Sequence, residues 1–195
     1  MWVAALLGSQ LAGKKKLTPT KGFGGGFGDS SSSRSRRSRQ SVQSLAPYVR
    51  TLPIVIDAML DLGQVTEDDN VYDLGCGDGR ILLAAAQQRG AQGLGVDIDA
   101  ERVKEANDAA RHLGLYPRIQ FKQQDLLTLD LSPATIVVLY LLPKSNLQLR
   151  QKLQTELSPG ARIITHSFDM GDWQPTRTTQ VADVINTYNI YVWNV

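Results

Sequence analysis

Hydrophobic positions between residues 53 and 194 follow two patterns, one typical of strands and one typical of helices. Short apolar runs bounded by Gly, Pro, Asn or Asp indicate strands, and apolar residues three or four positions apart indicate helices. The two kinds of segment alternate, which predicts a parallel α/β sheet. The expected elements, in chain order, are a helix over 53–62, a strand over 71–74, a helix over 79–89, a strand over 93–97, a helix over 100–113, strands over 119–123 and 134–140, a helix over 144–157, and strands over 162–166, 176–184 and 189–193.

Residues beside the expected helices support these limits. Pro53 fits the first turn of its helix, where proline is tolerated, and Thr51 is a candidate N-cap. Gly114 follows the third expected helix and is a candidate C-cap. The last two strands are expected to pair in antiparallel fashion.

The segment Asp73-Leu74-Gly75-Cys76-Gly77-Asp78-Gly79 is the strongest functional signal. Its three alternate glycines lie between a strand and a run of helix formers, so the loop can turn sharply and a ligand can approach its backbone. The helix that follows directs its free N–H groups towards that ligand. A dinucleotide-binding loop requires a third glycine where Arg80 stands, and a P-loop requires Gly-Lys-Ser/Thr, which is absent.

This glycine segment resembles motif I of the class I (seven-strand) S-adenosylmethionine-dependent methyltransferases. The resemblance implies that S-adenosylmethionine is the cofactor. Gly75, Cys76 and Gly77 would pass under the methionine part of the cofactor, and Asp73 would lie near its amino group. An ordinary strand-to-helix turn is the alternative.

Two further acids are candidates for the cofactor site. Asp97 ends the second expected strand, where a carboxylate can accept both ribose hydroxyls; NAD-binding proteins share this feature. Ile98 follows it and is assigned to the same site. In the methyltransferase family an acid just past the third strand often bonds the adenine amino group, which implies Asp125, with Leu126 beside it. A helix cap is the alternative for Asp125.

Five stretches carry a narrower resemblance. They are Tyr48-Val49-x-Thr51, Asp73 to Ile81, Leu139-Tyr140-Leu141-Leu142-Pro143, Arg162-Ile163-Ile164-x-His166-x-Phe168 and Asp172-Trp173-x-Pro175. Together they resemble the small protein-lysine methyltransferases that modify the ATP synthase c-subunit and the adenine nucleotide translocase, and their bacterial relatives. The resemblance covers about residues 45–195. It implies a Rossmann-like, doubly wound seven-stranded sheet of five parallel strands plus a reversed C-terminal hairpin, with helices on both faces.

A lysine acceptor must arrive deprotonated, so a desolvated pocket with aromatic faces would suit it. Tyr48, Tyr140 and Trp173 are candidates to line such a pocket, and Tyr48 and Tyr140 are the catalytic candidates. Core packing is the alternative for each. Thr51 is placed with the cofactor-binding residues. His166 is interpreted either as a proton acceptor or as a buried structural histidine, and no metal site is expected.

The net charge of +2 conceals an uneven distribution. Nine of the 21 Lys and Arg residues but only one of the 19 Asp and Glu residues lie in residues 1–50, so this part carries +8 and the remainder −6. Residues 1–44 are also rich in Gly and Ser, a composition that predicts a disordered tail. A transit peptide and a basic arm that docks on RNA, a membrane or an acidic partner are the alternatives.

Composition narrows the remaining possibilities. The single cysteine excludes an internal disulfide, and no apolar run approaches the length that spans a membrane. The acidic domain gives no strong nucleic-acid signal. We expect a monomeric, cytoplasmic enzyme that methylates a protein lysine, with an organelle as the alternative location. A methyltransferase for a small molecule or RNA and a non-catalytic cofactor-binding module are the alternative functions.

Overall fold

Seven strands form one sheet in the computed structural model, which describes residues 48–195. The strands are β1 (Asn70–Leu74), β2 (Gln92–Asp97), β3 (Ile119–Gln123), β4 (Ile136–Leu139), β5 (Arg162–His166), β6 (Arg177–Ala182) and β7 (Thr187–Asn194). Their order across the sheet is β3-β2-β1-β4-β5-β7-β6. The first five are parallel, and β7 runs antiparallel to both β5 and β6. The predicted fold class is confirmed.

Helices cover both faces of the sheet. They are α1 (Pro53–Leu62), α2 (Arg80–Arg89), α3 (Ala100–His112) and α4 (Pro143–Glu156), with a short 3-10 turn at Leu126–Thr128. The first three share one hydrophobic core with the sheet, and α4 packs on the opposite face, where Trp193 of β7 is fully buried. The parallel strands are therefore buried between layers, as their nearly continuous apolar sequences require.

The helix ends follow from local hydrogen bonding. Asp99 caps α3, because its carboxylate accepts hydrogen bonds from the backbone N–H groups of Glu101 (2.9 Å) and Arg102 (3.4 Å). Gly114 lies just beyond α3 with a φ of +68°, a conformation that favours glycine after a helix. The predicted N-cap of α1 is wrong: Leu52 occupies that position without a side-chain bond, and the Thr51 hydroxyl lies near His166 instead.

A polar network ties the elements together at the amino edge of the sheet, where the parallel strands begin. Arg162 of β5 donates hydrogen bonds to the carbonyls of Gly63 and Gln64 (both 2.8 Å), just after α1. It also pairs with the buried Asp69 before β1, which accepts a bond from the Thr135 hydroxyl before β4 (2.7 Å). Burial acts to raise the pKa of Asp69, but these partners outweigh it and lower the pKa. We call these five residues the amino-edge network.

Residues 1–44, the predicted basic tail, and the first residues of the predicted domain lie outside the described residues. The tail therefore stays a prediction. Within residues 48–195, no helix combines the length and apolar character needed to cross a membrane.

Candidate active site

The glycine loop between β1 and α2 is shaped by its backbone. The N–H groups of Gly75 and Cys76 both donate to the carbonyl of Val96 in β2 (2.8 and 3.0 Å), so the loop is held against the neighbouring strand. At Gly77, with a φ of +54°, a Cβ would lie 2.6 Å from the ring of Tyr48. At Gly79, with a φ of +78°, a Cβ would collide with the Phe121 ring. These positions need glycine for both conformation and space.

Asp97, at the end of β2, holds the loop by a direct hydrogen bond. Its Oδ2 accepts from the N–H of Gly77 (2.9 Å), and its Oδ1 accepts from the N–H of Asp99 (3.0 Å). A carboxylate oxygen can accept more than one bond, so both oxygens keep capacity for a ligand. The side chain is only partly buried and is fixed in orientation, which suits the predicted bidentate contact with a ribose.

Asp73, in β1, is a buried acid without an ion-pair partner in the described part of the chain. Its side chain is 2% exposed, and its Oδ2 has no hydrogen-bond partner among residues 48–195. Burial, with the nearby charges of Asp97 and Asp78, raises the pKa of Asp73 to about 7. A buried carboxylate of this kind is stabilised by an ammonium group placed beside it, so Asp73 fits the amino group of S-adenosylmethionine.

Asp125 lies just past β3 and has a structural role in the described residues. Its Oδ1 accepts a hydrogen bond from the N–H of Leu127 (2.9 Å), so Asp125 caps the 3-10 turn. The cap was the alternative interpretation for this residue, and it does not exclude the adenine contact, because the carboxylate keeps free acceptor sites. That contact stays a prediction.

One cleft of about 530 Å³ at the carboxyl edge of the sheet collects the predicted cofactor-binding and catalytic residues. Open α/β sheets bind ligands at this edge, and Tyr48 and Tyr140 lie in the same cleft as the predicted cofactor residues. Its lining is Tyr48, Val49, Arg50, Thr51, Asp73, Gly75, Cys76, Gly77, Asp78, Arg80, Ile81, Asp97, Ile98, Asp99, Arg102, Gln124, Asp125, Leu126, Tyr140 and Leu141.

Tyr48 is held over the cleft by a cation. The Arg102 guanidinium carbon lies 3.5 Å from the centroid of its ring, and Gly77 faces the same ring. Arg102 was not predicted from the sequence, although its position three residues after the capping Asp99 puts it at the cleft end of α3. No spacing rule links it to Tyr48, because the two residues meet only in the folded chain.

Asp78 and Arg80 form a second pair that was not predicted. Arg80 contacts the Asp78 carboxylate at 2.5 Å and donates to the backbone carbonyl of Thr51 (3.1 Å). Burial acts to raise the pKa of Asp78, but hydrogen bonds from Arg80 and Tyr48 outweigh it and lower the pKa. The pair joins the glycine loop to the segment that leads into α1.

Tyr140 lines the other side of the cleft, and an aromatic cluster packs against it. Tyr140, just after β4, stacks on the ring of His166 with centroids 3.8 Å apart, and Tyr188 of β7 lies 5.5 Å from the same imidazole. Burial raises the pKa of Tyr140, the charge of Tyr188 adds to this, and a hydrogen bond with the Ser167 side chain opposes it. Ser167 has a φ of +67°, a strained conformation for a residue other than glycine, and no sequence pattern predicts it.

His166 is a buried histidine in this aromatic cluster. It is 1% exposed, its Nδ1 lies 3.5 Å from Thr51 Oγ1, and its Nε2 has no partner among the described residues. Burial lowers the pKa of His166 to about 4, so the ring is neutral at pH 7. The structural interpretation is therefore favoured over the proton acceptor.

Trp173 lies outside the predicted acceptor pocket. Its ring packs against Trp193 with centroids 5.9 Å apart, and its carbonyl accepts the indole N–H of Trp193 (2.8 Å). Trp173 belongs to the core on the α4 face, and the core alternative is correct for it. Within residues 48–195, no cluster of three or more His, Cys, Asp or Glu is placed to hold a metal ion.

Fold and cleft together define a class I S-adenosylmethionine-dependent methyltransferase. The family described as the ANTKMT methyltransferase domain matches residues 73–177, and the chain belongs to this family. A protein-lysine N-methyltransferase of Saccharolobus islandicus (strain REY15A) is 37% identical over 148 residues, which cover 75% of this chain and 92% of that protein.

Two further proteins are similar to this chain over different fractions of their length. The lysine N-methyltransferase of Xenopus laevis that is named for the ATP synthase c-subunit is 34% identical, and the match covers 62% of this chain and 53% of that protein. The chain thus spans about half the length of this vertebrate relative. A crystal structure described as an RNA methyltransferase from Salinibacter ruber in complex with S-adenosyl-L-homocysteine has a TM-score of 0.70 and 45% identity, covering 75% of this chain and 93% of that one.

Proposed function

We propose that this protein transfers a methyl group from S-adenosylmethionine to the side-chain amine of a lysine in another protein. One observation carries the proposal: Tyr140, held against a neutral His166, lies in the same cleft as the cofactor residues. An aromatic wall without a strong base suits an amine that has lost its proton to solvent. The names of the Saccharolobus and Xenopus relatives, both lysine N-methyltransferases, support the same acceptor.

Side chains are needed in this reaction mainly to orient the reactants. When bound, S-adenosylmethionine would supply a methyl group on its sulfonium sulfur. The neutral amine nitrogen would attack this methyl group in line, so that the C–S bond breaks as the C–N bond forms, S-adenosylhomocysteine leaves as a neutral thioether and the product is a methylammonium group. Asp97 would orient the ribose and Asp73 the amino group of the cofactor. Tyr140 and Tyr48 would position the acceptor amine and exclude water from it, which is how alignment lowers a barrier.

Methylation of RNA is the second candidate function, because the Salinibacter protein is described as an RNA methyltransferase. The charge of the domain opposes it: residues 51–195 carry −6, whereas proteins that bind RNA phosphates need clustered basic side chains. Residues 1–50, with +8, could supply such charge. Methylation of protein and of RNA must therefore be compared with the full chain, which contains both regions.

A labelling experiment separates these candidates. The full chain is incubated with S-adenosylmethionine labelled in the methyl group and with a native extract, and the product is then treated with ribonuclease or with protease. We expect a label that resists ribonuclease, disappears with protease and is recovered as methyl-lysine after acid hydrolysis. A ribonuclease-sensitive label would replace the proposal with the RNA activity, and Asp97→Ala is the control for cofactor-dependent labelling.

We further propose a monomeric state, a cytoplasmic location and a disordered basic tail, for which docking on an acidic partner is an alternative role. These rest on sequence composition alone. Sedimentation of the purified chain tests the first, fractionation of cells that express it tests the second, and binding of the isolated peptide 1–44 to acidic proteins tests the alternative role of the tail.

A further inference from the structure

Most of the exposed large apolar side chains in residues 48–195 lie at one edge of the sheet. Apart from Tyr48, which belongs to the cleft, and Leu113 and Tyr116, which follow α3 at the opposite edge, they surround the carboxyl ends of β4 and β5. We call this set the apolar rim. Its members are Val49, Ile54, Leu142, Leu147, Val184 and Ile185.

Contacts of neighbouring residues fix the rim at this edge. Thr51, between Val49 and Ile54, touches His166 at the end of β5. Leu142 follows Tyr140 by two residues and directly precedes α4, whose Asn146 donates to the carbonyl of Phe168 beyond β5 (3.2 Å). The rim therefore continues from the wall of the cleft, which Val49 itself lines.

The tip of the β6–β7 hairpin is the most exposed part of the rim. Val184 and Ile185 are 102% and 86% exposed, so neither contributes to the core. The turn is nevertheless fixed, because Asp183 Oδ1 accepts the N–H groups of Ile185 (2.7 Å) and Asn186 (2.6 Å). A turn held in this way presents two stiff, β-branched side chains at low entropic cost to a partner.

The tip is also connected to the catalytic half of the cleft. The hydroxyl of Tyr188 donates to Asp183 Oδ2 (3.1 Å), and the Tyr188 ring lies 5.5 Å from His166, on which Tyr140 stacks. A ligand that contacts Val184 and Ile185 would therefore lie on the acceptor side of the cleft rather than over the cofactor residues of β1 and β2.

We infer that the apolar rim is a docking surface for the acceptor protein, and that it recognises a lysine flanked by apolar residues. This inference rests on the proposed function. Exposed apolar patches that border a site mark contacts with partners, and Val49 of this rim lines the cleft at which an acceptor amine must arrive. The charge of −6 on residues 51–195 favours a basic protein segment as the occupant.

Two synthetic peptides test the inference. They have equal length and charge and one lysine each, flanked by leucines in one peptide and by serines in the other. We expect kcat/KM for methylation to be about tenfold higher for the leucine peptide. In the double variant V184S/I185S this preference should fall to about threefold or less, whereas L113S, which removes an exposed leucine at the opposite edge, should keep it.

Binding of the same peptides to the protein loaded with S-adenosylhomocysteine separates the inference from the proposed function. If the leucine peptide binds more tightly and V184S/I185S loses this difference, the result supports the docking surface. It does so even if neither lysine is methylated. Absence of methylation would count against the proposed activity alone. Methylation of both peptides at equal rates supports the activity and overturns the rim, as does a preference that survives in V184S/I185S. Thermal melting and cofactor affinity of the variants show that both remain folded.

The same variants distinguish the acceptor protein from two alternative occupants of the apolar rim, a lipid surface and a second copy of the chain. Sedimentation with phosphatidylcholine vesicles, lost in V184S/I185S and without any preference between the peptides, would overturn the inference in favour of a lipid surface. Self-association of the protein that V184S/I185S abolishes, again without a peptide preference, would overturn it in favour of a second copy of the chain.

Discussion

The two halves of the cleft differ in the chemical groups that form them. At the ends of β1 and β2, the glycine loop is fixed by hydrogen bonds that its backbone N–H groups donate, such as that from Gly77 to the carboxylate of Asp97. At the ends of β4 and β5, the wall includes Tyr140, whose ring packs against the buried His166 of the neighbouring strand. We call these the cofactor half and the acceptor half.

This difference separates two kinds of recognition. The cofactor half presents charges and N–H groups at fixed positions, which is how a protein binds one invariant polar ligand. The acceptor half presents surfaces that can be varied one side chain at a time without disturbing the hydrogen bonds of the loop. Substitutions should therefore change affinity for the cofactor in one half and turnover in the other.

Asp73→Asn should have the largest effect, and it should act on binding and stability in opposite directions. We expect the affinity for S-adenosylmethionine at pH 8 to fall on the order of 100-fold, about 3 kcal/mol, because the buried partner of the amino group is lost. Titration calorimetry measures this change. Unaltered affinity would remove Asp73 from the cofactor site.

The stability of the same variant follows from the raised pKa of Asp73, about 7 in the folded chain against 3.8 for an ordinary aspartate. The neutral acid stabilises the fold below pH 3.8, and this contribution is lost as the pH rises through about 7. Ligand-free Asp73→Asn should therefore melt higher than the wild type at about pH 8 and similarly at about pH 4. Asp78→Asn, which removes an acid already paired with Arg80, should show no such gain.

Asp97→Ala should weaken cofactor binding by on the order of 2 kcal/mol, about 30-fold, through loss of charge-assisted hydrogen bonds. Asp97 also holds Gly77, so part of the loss is disorder of the loop. Asp97→Asn keeps one oxygen acceptor and should lose less affinity. If both variants bind the cofactor like the wild type, or if the protein prefers NAD, the assignment of the cofactor half is wrong.

Tyr140→Ala should lower kcat about tenfold, equivalent to about 1.4 kcal/mol of transition-state stabilisation, and should change cofactor affinity much less. Tyr140→Phe keeps the stacking on His166 and loses the bond to Ser167, so it separates the ring from the hydroxyl. Tyr48→Ala should behave like Tyr140→Ala with some loss of cofactor affinity. Full turnover in Tyr140→Ala would mean that the acceptor pocket lies elsewhere.

Deletion of residues 1–44 should have the smallest effect. The composition of this segment predicts no core of its own, so neither the melting temperature nor the cofactor affinity should change appreciably. Differential scanning calorimetry and titration of the shortened chain measure both. A marked drop in either would show that the tail packs on one half of the cleft.

The sheet and the cofactor half were predictable from sequence because their signals are local. The bounds of α1, β3 and β5 match the expectation, and the loop, Asp97 and Asp125 lie in the cleft as predicted. The errors lie at the ends of elements. β4 covers Ile136–Leu139 and is shorter at both ends than the predicted 134–140, and Tyr140 lies beyond the ladder with its ring on His166. β6 ends at Ala182, because Asp183 accepts the N–H groups of the turn.

The acceptor half was predictable only in part, because its contacts span long stretches of sequence. Resemblance to a family pointed to Tyr48 and Tyr140, which do line the cleft, but also to Trp173, since an aromatic residue near a motif can serve the core equally well. Arg102, Ser167 and Tyr188 had no sequence signal, because each acquires its role from a partner that the fold supplies.

The amino-edge network has a consequence for how such an enzyme can change. Arg162 and Asp69 secure α1, β1, β4 and β5 at the end of the sheet remote from the cleft. With the acceptor docked as proposed, structural integrity and choice of acceptor would depend on different ends of the same strands. New acceptor specificities could then be explored by altering the exposed hairpin tip at little risk to folding, which would make this scaffold well suited to divergence and to directed evolution.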